Sequence, residues 1–215
     1  MAALVVPSDL RAQSSDAVTL PDIALPPSKG GVRRWEVVAG DVLRATAARD
    51  ANIIASVSPG DILSNFRCRT EGAVLWCEVR PFRGGARGYV PAAVLVPARG
   101  PDGVIAMGRD DSDRRAKRRD FDVRAEIACA QERGQTLGRC NIGIARGTGG
   151  DATAVATFAN GFARRLTFQH GEFVFADTTM SGTGTDIEWR LEAGIHHLRV
   201  DDQRFDIPDA LLFGR

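Results

Sequence analysis

Apolar and polar positions along this chain alternate over short runs, and none of these runs sustains the 3.6-residue period of a long amphipathic helix. Between residues 32 and 98 the runs are Trp35–Val38, Ile53–Val57, Asp61–Phe66, Val74–Val79 and Gly88–Val90, divided by glycine and proline. Val74–Val79 alternates with period two, and Ser58-Pro59-Gly60-Asp61 carries the residues of a tight turn. Short strands at this density predict a small barrel. Between residues 120 and 215 the runs are Phe121–Ile127, Ile142–Ala145, Thr153–Phe158, Phe162–Phe168, Glu172–Ala176, Asp186–Leu191, Ile195–Val200 and Gln203–Ile207. Asn160-Gly161 sits between two alternating runs and reads as a type I′ hairpin turn, which needs φ > 0 at both central residues. Gly171, Ser181–Thr185, Ala193-Gly194 and Asp201-Asp202 mark the remaining turns. About eight strands connected as a meander predict an antiparallel barrel or sandwich, which leaves few open edges. The expected fold class is therefore all-β throughout.

Composition narrows the class without changing that expectation. The chain has 215 residues, 44% hydrophobic and 26% charged, a globular composition long enough for two small domains. The net charge of +1 argues against a nucleic-acid-binding footprint. The longest clean apolar run, Met1–Val6, is too short to span a bilayer. Residues 1–31 hold Pro7, Pro21, Pro26 and Pro27 and no period, so they are expected to be a flexible lead-in. Their start also reads like the end of a secretory signal, Ala-Leu-Val-Val followed by Leu10-Arg-Ala12-Gln13, lacking the positive n-region. A start assigned too far downstream would leave that pattern; an ordinary tail is the other reading. Residues 32–98 are expected to be one domain and residues 120–215 a second, all-β domain. Residues 99–119 read as a charged linker: Arg99-Gly-Pro-Asp-Gly103 opens a break in composition, and Gly108–Arg119 is a charge run. Arg114–Arg119 is flanked by Asp110, Asp111, Asp113 and Asp120, so mixed charge on a helix-compatible connector accounts for it better than a polyanion patch.

The four cysteines form two local pairs, Cys68 with Cys77 and Cys129 with Cys140, although four cysteines permit three connectivities. Neither spacing is C-x-x-C, and no histidine stands near any cysteine, so zinc and thioredoxin-type chemistry fit poorly. Each local pair brackets a turn-like stretch, an arrangement that can meet disulfide geometry across adjacent strands. Disulfides persist in oxidising compartments, which makes the periplasm or the cell exterior the expected location. Four buried free thiols in a cytosolic protein are the alternative.

Residues 35–96 resemble the bacterial SH3 (SH3b) domain family. Leu43-Arg-Ala-Thr-Ala-Ala-Arg-Asp50 stands where that family has its leucine-asparagine-valine-arginine segment, and Val57–Leu63 matches its leucine-x-x-glycine strand and turn. Trp76-Cys-Glu-Val79 matches the tryptophan-x-x-valine strand. Gly88-Tyr89-Val90, followed by Ala92–Leu95, matches the glycine-tryptophan-valine strand and its closing helical turn. Two departures are the missing asparagine and serine-glycine-proline turn, and Tyr89 in place of tryptophan. The resemblance implies an SH3-like barrel that binds peptidoglycan, its peptides or an envelope protein through exposed aromatics. Tyr89 and Trp76 are the candidate ligand-binding residues, because each offers a flat face and a polar handle. A core role in a very small barrel is the competing reading for both.

Catalytic constellations are not evident. His196 and His197 are adjacent, so on a regular strand they face opposite ways and cannot ligate one metal; Glu188 or Glu192 on a neighbouring strand adds only a weak signal. His170 stands alone. No Gly-x-Ser-x-Gly elbow or phosphate-binding P-loop occurs, and Gly147-Thr-Gly-Gly150 lies between strands, not before a helix. The sequence implies no cofactor. Small envelope β-barrels such as lysozyme-inhibitor lipoproteins are similar to residues 120–215 in size and cysteine content, by analogy alone. The expectation is a non-enzymatic envelope binding or scaffolding protein; a cell-wall hydrolase with its site in residues 120–215, or an inhibitor of a wall-active enzyme, are the alternatives.

Overall fold

A computed structural model of the chain describes residues 24–177 and 186–214. Among these residues two antiparallel sheets form, each around its own apolar cluster. The first holds β1 (Arg34–Val37), β2 (Asp41–Arg44), β3 (Ile53–Val57), β4 (Ile62–Glu71), β5 (Val74–Pro81), β6 (Gly88–Pro91) and β7 (Leu95–Pro97). Their order across the sheet is β3-β2-β6-β5-β4-β1-β7. All the predicted strands of this half are present; β2 and the three-residue β7 are additional. Trp35, Leu43, Leu63, Cys77, Val79 and Val90 fill its interior. Pro59 and Gly60 occupy the centre of the turn before β4, with Gly60 at φ +88°, a conformation that costs glycine little. Ala92–Val94 closes the unit as a single 3-10 turn.

The second sheet holds β8 (Val123–Ala130), β9 (Gly138–Arg146), β10 (Ala152–Thr157), β11 (Ala163–Gln169), β12 (Glu172–Ala176), β13 (Ile187–Glu192), β14 (Ile195–Val200) and β15 (Gln203–Pro208). Its order is β12-β11-β10-β9-β8-β15-β14-β13, so the first strand of the unit pairs with the last, Cys129 opposite Phe205. This is the eight-strand meander that alternation predicts. Small residues on β10 make room for large ones from its neighbours. Ala152, Ala154 and Ala156 are fully buried, opposite Phe168, Leu166 and Arg164 of β11. The space beside Ala156 admits the Arg164 guanidinium, which donates to Gln203 Oε1 at 2.8 Å. Helix α1 (Ser112–Lys117) and helix α2 (Asp209–Phe213) are both short.

One turn differs from its sequence reading. The Asn160-Gly161 hairpin is not type I′: only Gly161 has φ > 0, at +86°. Phe158 N–H donates to Phe162 O and Gly161 N–H to Phe158 O, giving a five-residue loop in which Asn160 Oδ1 accepts from Phe162 N–H. A longer loop needs one left-handed residue where the two-residue loop needs two. The two-residue form appears instead at His170-Gly171, at φ +51° and +80°, between paired Gln169 and Glu172. The predicted Ser181–Thr185 turn lies outside the described residues, as do residues 1–23.

Residues 99–119 join the two sheets and pack on both. Val32 bridges Met107, and Asp102 Oδ2 accepts from Gly149 N–H at 2.8 Å and Gly150 N–H at 3.3 Å. A Cβ on Gly100 would stand 2.1 Å from the Gly149 carbonyl carbon, so the two backbones touch. Ser112 and Ala116 of α1 are buried over β9 and β10, and Ser112 Oγ meets Thr153 Oγ1 at 2.9 Å. Residues 24–31 are also seated, since Leu25 O accepts from Asn65 Nδ2 and Ala24 O from Cys68 N–H.

Candidate functional site

Both cysteine pairs are disulfides, Cys68–Cys77 joining β4 to β5 and Cys129–Cys140 joining β8 to β9; no described cysteine is free. Two intrachain disulfides fit an oxidising compartment. Among the described residues no helix is long and apolar enough to cross a membrane.

The first bridge also sets the register of a face. Cys68 stands directly opposite Cys77, so their flanking residues pair as Arg67 with Glu78 and Arg69 with Trp76. Strand alternation turns Cys77 and Val79 into the core and Trp76 and Glu78 to the other side. Across the next strands Glu78 faces Tyr89 of β6, and Tyr89 faces Arg44 of β2. One row of the sheet thus reads Arg44, Tyr89, Glu78, Arg67. The next reads Pro91, Trp76, Arg69.

The two sequence-predicted residues therefore share this face but differ in access. Tyr89 is half-buried, with the Arg69 guanidinium 5.3 Å from its ring centroid. Trp76 is only 2% exposed, outside the apolar cluster of the barrel, and it lines a groove of about 650 Å³ with Asp41, Arg44, Arg49 and Pro91. The groove is thus partly aromatic and carries both signs of charge. Glu78, 8% exposed, sits between two guanidinium groups: Arg67 Nε at 2.8 Å from one oxygen and Arg87 Nε at 2.8 Å from the other. Burial pushes the Glu78 carboxyl up, but the hydrogen bonds and charges of Arg67 and Arg87 outweigh it and hold the carboxyl below its ordinary range. Sequence reading missed Glu78 and its arginines. The signal that could have found them was the cysteine pair, because bridging residues 68 and 77 fixes what stands opposite.

The histidines are engaged elsewhere. His196 and His197 face opposite sides of β14, as alternation requires. His196 is fully buried; Trp189 Nε1–H donates to its Nδ1 at 3.1 Å, and its Nε2 lies 3.1 Å from Asp209 Oδ1. The indole donor makes Nδ1 the acceptor and leaves Nε2 to carry the proton towards the carboxylate. His197 Nδ1 pairs with Asp206 Oδ1 at 2.8 Å on the outer side. Glu188 is taken by Arg199 at 2.7 Å. Burial lowers the His170 pKa first, the Arg34 charge adds to that, and Asp151, Glu172 and Asp102 oppose it. Among the described residues no group of three or more His, Cys, Asp or Glu side chains could hold a metal. The Gly147–Gly150 stretch has a packing role, receiving Asp102 and the backbone of Gly100. No protein-family model, curated protein or solved structure matches this chain.

Proposed function

We propose that this chain is a binding protein of the cell envelope, whose first sheet is an SH3b-type module that recognises peptidoglycan or a protein partner. The observation that carries this reading is the shared face of Tyr89, Trp76 and Arg44, with its adjoining groove, on a sheet stapled by Cys68–Cys77. A ring, an indole wall and guanidinium donors suit a peptide or amino-sugar ligand that offers both apolar and anionic contacts. The two disulfides support a periplasmic or secreted location, where such ligands are found. The role is to hold a ligand rather than to transform it.

The test is co-sedimentation of the full chain with purified peptidoglycan. Wild type should be retained, and Tyr89→Ala should be retained several-fold less while remaining folded, because Tyr89 stands outside the apolar cluster. Unchanged retention of Tyr89→Ala would remove that residue from the site. Absence of retention by wild type would remove peptidoglycan as the ligand.

A further inference from the structure

The face described above carries a connected array of arginines, rings and carboxylates. Arg87 lies 3.7 Å from the Phe66 ring centroid and pairs with Glu78. Arg67 takes the other oxygen of Glu78. Arg69 lies over Tyr89 and pairs with Glu71 at 3.2 Å. These three guanidinium groups share two carboxylates, and each side chain remains about half exposed, between 44% and 53%. Arg44 and Arg49, beside them in the groove, pair with no carboxylate among the described residues. With Asp41 of the groove included, five arginines face three carboxylates, so the face is cationic although the whole chain is nearly neutral at +1.

We infer that this face docks an acidic polypeptide segment, whose carboxylates are received by the guanidinium forks of Arg44, Arg69 and Arg87. The inference deepens the envelope-binding reading by naming the chemistry of the partner, and it rests on that face being a docking surface. Three features support it. Guanidinium geometry matches carboxylates bidentately. Ring and carboxylate contacts already hold Arg69 and Arg87, so binding freezes fewer rotamers. Arginine, tyrosine and tryptophan together are the residues that dominate protein interfaces. A nucleic acid fits less well: Glu78 and Glu71 stand within the array, where a continuous polyphosphate would meet them, whereas separate carboxylates on a peptide can pass between.

The experiment is fluorescence anisotropy of a fluorescein-labelled polyglutamate peptide titrated with the full chain. Saturable binding is expected at about 50 mM NaCl, weakening towards about 200 mM as screening grows. The double variant Arg69→Lys/Arg87→Lys keeps the net charge but loses the forks, and should bind about tenfold more weakly. The matched control Arg133→Lys/Arg139→Lys, on the second sheet, should bind like wild type. If the first double variant melts lower than wild type, Arg44→Lys replaces it, since Arg44 holds no carboxylate. No saturable binding by wild type would overturn the inference, as would full affinity in the lysine variants, which would reduce the effect to net charge. Tighter binding of a single-stranded oligonucleotide of equal charge would overturn the choice of partner. Peptidoglycan retention without polyglutamate binding would sink this inference alone; polyglutamate binding without peptidoglycan retention would sink only that ligand.

Discussion

Glu78 is the residue whose removal reports most directly on the arginine array. Its carboxyl is held below the ordinary range in the folded state, so it contributes stability that is present above the unfolded carboxylate pKa and is lost as pH falls through the folded value. Glu78→Gln should therefore cost about 1–3 kcal/mol at neutral pH, as expected when buried charge-assisted bonds are lost. Its stability should also fall less steeply than that of wild type as the solution is acidified below about pH 4.5. Urea denaturation across pH 3 to 7 (roughly the carboxylate range) checks both; identical pH profiles would show that Glu78 carries no such linkage. Tyr89 stands directly opposite Glu78 in the same row, with Arg67 on the Glu78 carboxylate and Arg69 over the tyrosine ring.

At the level of elements, the glycines of the 99–119 segment matter more than its charges. Gly100→Ala would set a Cβ 2.1–2.5 Å from the Gly149 backbone, where neither chain can yield without moving Asp102 or Ala106. Thermal unfolding of this variant should show a loss of several degrees, in line with overpacking costs of about 1–3 kcal/mol. Gly30→Ala, with open space around its Cβ, should cost less despite its positive φ of 96°. Much of the element list was legible beforehand. All eight strands of the second sheet follow from apolar–polar patterning punctuated by turn residues, and all but the edge strand β13 bury residues. The seating of residues 99–119 was not legible. Asp102, Asp110 and Arg115 look like a solvated charge run, and only tertiary placement reveals that they meet Gly149 N–H, Ser112 Oγ and Arg146 O. β2 and β7 escaped notice because each is continuous with a segment of no strand pattern, Asp41–Arg44 running into residues 45–50 and Leu95–Pro97 following directly on the Ala92–Val94 turn. The site was half legible: the aromatic landmarks pointed to Tyr89 and Trp76, and the Cys68/Cys77 pair held the register that sets Arg67 and Arg69 opposite Glu78 and Trp76, but Arg44 and Arg87 join the face only through β6 and the Arg87–Glu78 contact, which no local pattern encodes.

Across the whole molecule the two sheets meet at a buried carboxylate. Asp151, 1% exposed, pairs with Arg33 and, at 2.8 Å, with Arg34 of β1, and also accepts from His170 N–H. Arg83 reaches Glu172 at 2.7 Å, and Phe82 meets His170 edge-on at the same junction. Asp151→Asn would strand buried guanidinium groups, at a cost of about 3–5 kcal/mol. It should lower the denaturation midpoint and split a single transition into two, one per sheet; an unchanged single transition would mean that other contacts hold the halves together. A further consequence follows from the pairing of β8 with β15. The strand that begins the second sheet finds one of its neighbours only near the opposite end of the polypeptide. During synthesis, therefore, residues 123–130 must wait with one flank unzipped until Gln203–Pro208 has emerged. Ribosomes stalled before Gln203 would display a sticky margin, and the nascent chain would depend on chaperones for that interval.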